Sequence, residues 1–80
     1  MQRQQVKSKD LFSVGYDDKS QTLEIEFRSG GIYVYTRVPK DIYAGLMKAN
    51  SKGTYFAKTI KNSRYYGCTQ LYPEYRLLRL

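Results

Sequence analysis

Apolar and polar residues alternate most cleanly over Thr22–Arg28 (TLEIEFR), with Leu23, Ile25 and Phe27 on one side and Glu24, Glu26 and Arg28 on the other. A period of two predicts an antiparallel strand with one face on a core and one face in water. Leu11–Tyr16 (LFSVGY) is a short apolar run suited to a preceding strand. Between the two, Asp17-Asp18-Lys19-Ser20 has the composition of a turn. Ser29-Gly30-Gly31 signals a hairpin, and Ile32–Arg37 (IYVYTR) follows as a strand rich in β-branched and aromatic residues. Both alternate sets of that strand are apolar, so its facing depends on the loop. A two-residue loop places Ile32 and Val34 beside Phe27 on the core face; a three-residue loop places Tyr33 and Tyr35 there instead. The sequence leaves both open.

After this the period changes. Pro39 opens a helix, because its missing N–H costs nothing in the first turn. Ile42, Leu46 and Ala49 form its stripe, with Tyr43 and Met47 beside them. Asn50-Ser51 breaks the helix, and Ser51 is placed to cap a second one over Lys52–Lys61, in which Phe56 and Ile60 point inward. Asn62-Ser63 closes it. The rest, Arg64–Leu80, is harder to place: Pro73 excludes one continuous helix, and Tyr75–Leu80 is either a last strand or an apolar tail. The expectation is an α+β fold, a three-stranded antiparallel meander followed by two short helices packed on one face. A flexible arm (1–10) precedes the domain (11–66). A tail (67–80), a candidate extra strand, follows it.

At 80 residues the chain is a single domain with a thin core, which points function toward an open face or an interface. The net charge of +7 is uneven: Lys48 onward holds seven Lys/Arg against one acid, whereas residues 1–47 hold seven against six. That asymmetry suits an anionic partner such as RNA or other nucleic acid, a nucleotide or an acidic protein, or else a solvated basic face. Cys68 is the single cysteine and there is no His, so neither an intramolecular disulfide nor a zinc site is expected. The chain fits a reducing, cytoplasmic setting. The polar Met1–Gln5 offers no signal segment, and no run is long enough for a membrane.

Catalysis is poorly supplied. The commonest acid–base group near neutral pH is absent, and Cys68 has no His to activate it. Asp17-Asp18 with Glu24 and Glu26 read better as a turn and an outer strand face than as a magnesium site. The chemistry that stands out is aromatic rings interleaved with cations. Tyr33, Tyr35 and Arg37 alternate along one strand, with successive side chains about 6.5–7 Å apart. Rings exposed on a sheet stack bases while cations meet phosphates, although a small core also needs such rings. Lys48, Lys52, Lys58, Lys61 and Arg64 form the main cationic candidate. Ser51 and Gly53 start the second helix, where a phosphate or a simple cap fits, and Tyr55 sits at its edge.

These residues in this order resemble the KTSC domain, a family named for the C-terminal region of some lysyl-tRNA synthetases. The resemblance runs from about Val6 to Tyr66. It rests on Val14-Gly15-Tyr16-Asp17, on Leu23, Ile25 and Phe27, on Gly30-Gly31, Tyr33-Val34-Tyr35 and Val38-Pro39, and on Tyr43, Leu46, Ala49, Ser51, Gly53, Tyr55-Phe56 and Ile60. It departs at Lys9, where a second Ser is frequent, and at Ala57, where Asn is usual. The resemblance implies a compact domain that also occurs alone in bacterial and phage proteins, for which RNA binding has been suggested.

The function expected is therefore a non-enzymatic binding module without cofactors, with RNA ahead of DNA as its partner. Lys48, Lys52, Lys58, Lys61, Arg64 and Arg37 would supply charge, and Tyr33, Tyr35 or Tyr55 stacking. Two alternatives stand beside it: a protein-interaction module, such as a phage-type inhibitor of an acidic host protein using the tail, and a binder of a small anionic nucleotide. Oligomerisation is compatible with each.

Overall fold

A computed structural model describes residues 2–61, 63 and 65–72. The chain runs through β1 (Arg3–Gln5), β2 (Leu11–Asp17), β3 (Thr22–Phe27), β4 (Ile32–Thr36), α1 (Lys40–Lys48), α2 (Lys52–Phe56) and β5 (Gly67–Tyr72). Between α2 and β5, Ala57–Lys61 continues the second helix as a wider π turn. The strands form one antiparallel sheet in the order β1-β2-β3-β4-β5. The class is α+β as expected, with an edge strand added on each side of the meander. The first, Arg3–Gln5, lies in the segment expected as a loose arm: Arg3 pairs with Gly15 and Gln5 with Ser13. The second is Gly67–Tyr72, which pairs with β4. The expected position of a last strand, Tyr75–Leu80, lies outside the described residues.

The β3–β4 hairpin settles the facing of the tyrosines. Phe27 N–H donates to the Gly31 carbonyl (2.8 Å) and Gly30 N–H to the Phe27 carbonyl (2.9 Å), which leaves Arg28, Ser29 and Gly30 as a three-residue loop. Gly30 closes the loop at φ 110°, a conformation open to glycine and strained for other residues. This loop places Tyr33 opposite Ile25 and Tyr35 opposite Leu23, so both rings share the inner face with Phe27. On the outer face Arg3 ion-pairs with Glu24 and Glu26, and Ser13 Oγ donates to Glu26 Oε1 at 2.9 Å. That pairing, with Asp17 folded into its own turn by Ser20 Oγ (2.8 Å), gives all three carboxylates structural partners.

Both helices cover the inner face. Leu11, Val14, Leu23, Ile25, Tyr35 and Val38 from the sheet side are buried with Leu46, Phe56 and Ile60 from the helices. Pro39 immediately precedes α1 and its carbonyl accepts from Ile42 and Tyr43 N–H (3.1 and 3.2 Å). Ser51 caps α2, its Oγ accepting from Thr54 N–H at 3.3 Å. Two tyrosines brace the layers. Tyr16 stacks on Tyr43 (centroids 4.5 Å apart, planes within 6°) and donates to the Val38 carbonyl at 2.6 Å. Tyr55 lies across α1 and donates to the Ile42 carbonyl at 3.0 Å; Gly45 makes room for it, since a Cβ there would run into the Tyr55 hydroxyl.

Candidate nucleic-acid interface

The helical layer does not close over the whole inner face. An open cleft of about 360 Å³ lies between β4, the π turn and β5. Phe27, Tyr33 and Tyr35 come from the sheet, Phe56 from α2, and Tyr66 and Cys68 from the return toward β5. The rings form a continuous set. Phe27 meets Tyr33 edge-on (5.6 Å) and Phe56 (5.3 Å), Tyr35 meets Phe56 (5.5 Å), and Tyr33 and Tyr35 lie side by side at 6.5 Å with planes 25° apart. Tyr33 is half-buried, whereas Tyr35 is only 6% exposed. The expectation that these tyrosines serve the core thus holds for Tyr35, and Tyr33 is shared between core and cleft.

Burial pushes the Tyr35 phenol well above its ordinary value, with the hydrogen-bonded Cys68 thiol and Tyr33 adding to the shift. It is a neutral phenol at any physiological pH. Tyr66 is half-buried in the cleft wall and carries an edge-on contact to Tyr65 (5.3 Å), whose ring is 66% exposed.

Lys61 lies on the cleft wall and is exposed. It also lines a second depression of about 360 Å³ that continues past Phe27, Ser29 and Phe56. There Lys9, Asp10 and Arg28 join Leu11, Gly53 and Ala57 in the lining. Arg28 is positioned by its Nε donating to the Ser8 carbonyl (2.7 Å) and by stacking over Phe12 (5.5 Å). Lys9, Arg28 and Lys61 all line this depression, together with the Asp10 carboxylate.

Among the described residues, the other cations expected to join Lys61 do not line the cleft or the depression. Lys48 is exposed in the last turn of α1. Lys52 is partly buried, its Nζ donating to the Ala49 carbonyl at 3.2 Å. Lys58 is exposed midway between inward-facing Phe56 and Ile60, which directs it away from the sheet. Arg64 lies outside the described residues. Arg37 does not extend the line of rings: β4 ends at Thr36, and Arg37 takes a left-handed turn (φ 64°) that lets Val38 N–H reach the Gln21 carbonyl (2.9 Å). Tyr55 is committed to bracing α1. The start of α2 is occupied by the cap Ser51, and the Asp10 carboxylate lies so close that a Cβ at Gly53 would strike it. A carboxylate there suits the helix terminus and repels a second anion.

Tyr33, Tyr35 and Lys61 were legible in the sequence, and Phe27 beside the tyrosines only for a three-residue loop, whereas Tyr66, Lys9 and Arg28 were not. Only the three-residue loop, which fixes the facing of β4, carried a signal for that grouping.

Residues 7–66 match the family model of the KTSC domain. A crystal structure of a KTSC domain protein from Yersinia pestis superposes with a TM-score of 0.83 at 39% identity, covering 89% of this chain and 97% of that one. An uncharacterized protein of Stutzerimonas stutzeri is 40% identical over 65 residues, which is 81% of this chain and 92% of that protein. The lysine–tRNA ligase of Nostoc punctiforme is 50% identical over 46 residues, 58% of this chain and 8% of the ligase. On sequence and architecture together, this chain belongs to the KTSC domain family.

Proposed function

We propose that the protein is a non-enzymatic module that binds single-stranded nucleic acid, RNA before DNA. The observation that carries this reading is the ring-lined cleft over Tyr33 and Tyr35, joined through Lys61 to a depression rimmed by Lys9 and Arg28. A base has two π faces that only an unpaired strand offers, and stacking of this kind contributes about 1–3 kcal/mol per base. Lys9, Arg28 and Lys61 meet the backbone. Likeness to a short part of lysine–tRNA ligases is consistent with an RNA partner. The test is fluorescence anisotropy with one labelled RNA sequence offered as a single strand and as a duplex. Tighter binding of the single strand is expected. Equal binding of the two, or no binding of the single strand at low salt, would overturn the reading.

A small anionic nucleotide is the second reading, favoured by the cleft volume, which falls at the lower end of the roughly 300–1,000 Å³ typical of small-molecule sites.

A further inference from the structure

The geometry points to a two-part subsite in which one unstacked base sits in the Tyr33–Tyr35–Tyr66 cleft and its flanking phosphate lies in the neighbouring depression between Arg28 and Lys61. This rests on the reading of the protein as a single-strand binder. It goes further by fixing the unit recognised as one nucleotide with its phosphate rather than a run of stacked bases.

Four features carry it. The two cavities are of similar size, about 360 Å³ each, and share Phe27, Ser29, Phe56 and Lys61, so they form one continuous path. Away from that shared wall the linings differ, with Tyr33, Tyr35 and Tyr66 on one side and Lys9 and Arg28 on the other, as base and phosphate differ in a nucleotide. The ring side is large enough for a flat ring system, and Phe56 and Ile60 close it inward. Finally, the acid in the path, Asp10, lies at the Gly53 end of the depression. An anion is thereby held toward Arg28 and Lys61 and kept off the start of α2.

The polar groups at the cleft are suited to hydrogen-bonding a base edge without selecting strongly among bases. Ser29 and Ser63 contribute hydroxyls that donate or accept, and Lys61 donates. Base preference is therefore expected to be weak, and the requirement for one extruded base strong.

The experiment uses the full chain and two kinds of probe. First, a uridine tract carrying one 2-aminopurine is titrated with protein. Its fluorescence is expected to change on binding as the base stacks on the rings. Tyr33→Leu, which keeps apolar volume, should abolish that change and weaken binding about tenfold. Lys61→Gln, at an exposed side chain, should weaken binding and leave the change intact at saturation. Circular dichroism checks that each variant is folded. Second, nuclear magnetic resonance with uridine 5′-monophosphate, uridine and inorganic phosphate locates the two parts. The nucleotide should shift amides near both Tyr33 and Arg28, the nucleoside only those near Tyr33, and phosphate only those near Arg28.

Salt-sensitive strand binding with a 2-aminopurine signal that Tyr33→Leu does not alter would overturn the subsite and leave strand binding standing. A mononucleotide that shifts both regions while no strand binds would support the subsite and overturn the strand reading. No response to any probe would overturn both.

Discussion

Tyr16 links the sheet to the start of α1 by one hydrogen bond of 2.6 Å to the carbonyl of fully buried Val38. Removing the hydroxyl in Tyr16→Phe keeps the stack on Tyr43 but strands that acceptor, at a cost of about 1–3 kcal/mol. Urea denaturation should show a lower midpoint with an unchanged slope. At Gly45 two effects oppose each other. Alanine raises helix propensity by about 1 kcal/mol, yet its Cβ collides with the Tyr55 hydroxyl, and overpacking costs about 1–3 kcal/mol. Gly45→Ala should be net destabilising, and less so in a Tyr55→Phe background. Additive effects in that double-mutant cycle would contradict the packing described.

Tyr35 gives a pH signature. Burial, then the Cys68 thiol, raises its folded-state value above the ordinary 10.0. Burial also raises Tyr16 and Tyr55, with Asp18 and Asp41 respectively as the next contributors. The stability these phenols contribute is fully present below pH 10 and is lost as pH rises from there toward their folded-state values, because the unfolded chain ionises first. Alkaline unfolding monitored by phenolate absorbance should therefore be cooperative for part of the signal, and Tyr35→Phe should reduce its steepness.

Among the elements, the β3–β4 hairpin decides what the inner face is made of. Its loop of Arg28, Ser29 and Gly30 holds the register that turns Tyr33 and Tyr35 inward. Deleting Ser29 would shorten the loop by one and turn Ile32 and Val34 inward instead. That variant should lose the cleft and most of its stability, read as loss of cooperative thermal unfolding. Gly30→Ala keeps the length but strains φ 110° and should cost about 1 kcal/mol or more.

The same hairpin marks how far the sequence could be read. The alternation of TLEIEF fixed β3, and helix positions followed from Pro39, Ser51 and the Leu46 and Phe56–Ile60 stripes. The facing of IYVYT was not legible because both of its sides are apolar, and only backbone geometry at Gly30 decides between them. Of the edge strands, one was expected within the tail 67–80 but without its bounds, and β1 falls in the segment expected as a loose arm. RQQ has no apolar side at all, and GCTQLY begins with small and polar residues; each is a strand because a neighbour offers unpaired backbone groups. The site was half legible. Rings and cations were visible as residue types, but Lys9, Arg28 and Lys61 meet through tertiary packing that no local pattern encodes.

For the whole molecule, the family match at residues 7–66 contains β2 to β4 and both helices, while β1 begins before it and β5 after it. The cleft depends on both parts, since Cys68 on β5 forms one wall. Among the described residues no helix is long and apolar enough to cross a membrane. Among the described residues the cations that line the cleft and the adjoining depression are Lys9, Arg28 and Lys61. Their number sets the strength of the salt response. Each phosphate neutralised on a single strand contributes about −0.7 to the slope of log K against log salt concentration.

The most direct measurement is that slope, for a short single-stranded RNA and the intact protein. Lys9, Arg28 and Lys61 predict a value of about −2, falling in size to about −1.4 for Lys61→Gln. An affinity indifferent to salt, or a slope that Lys61→Gln leaves unchanged, would contradict the account.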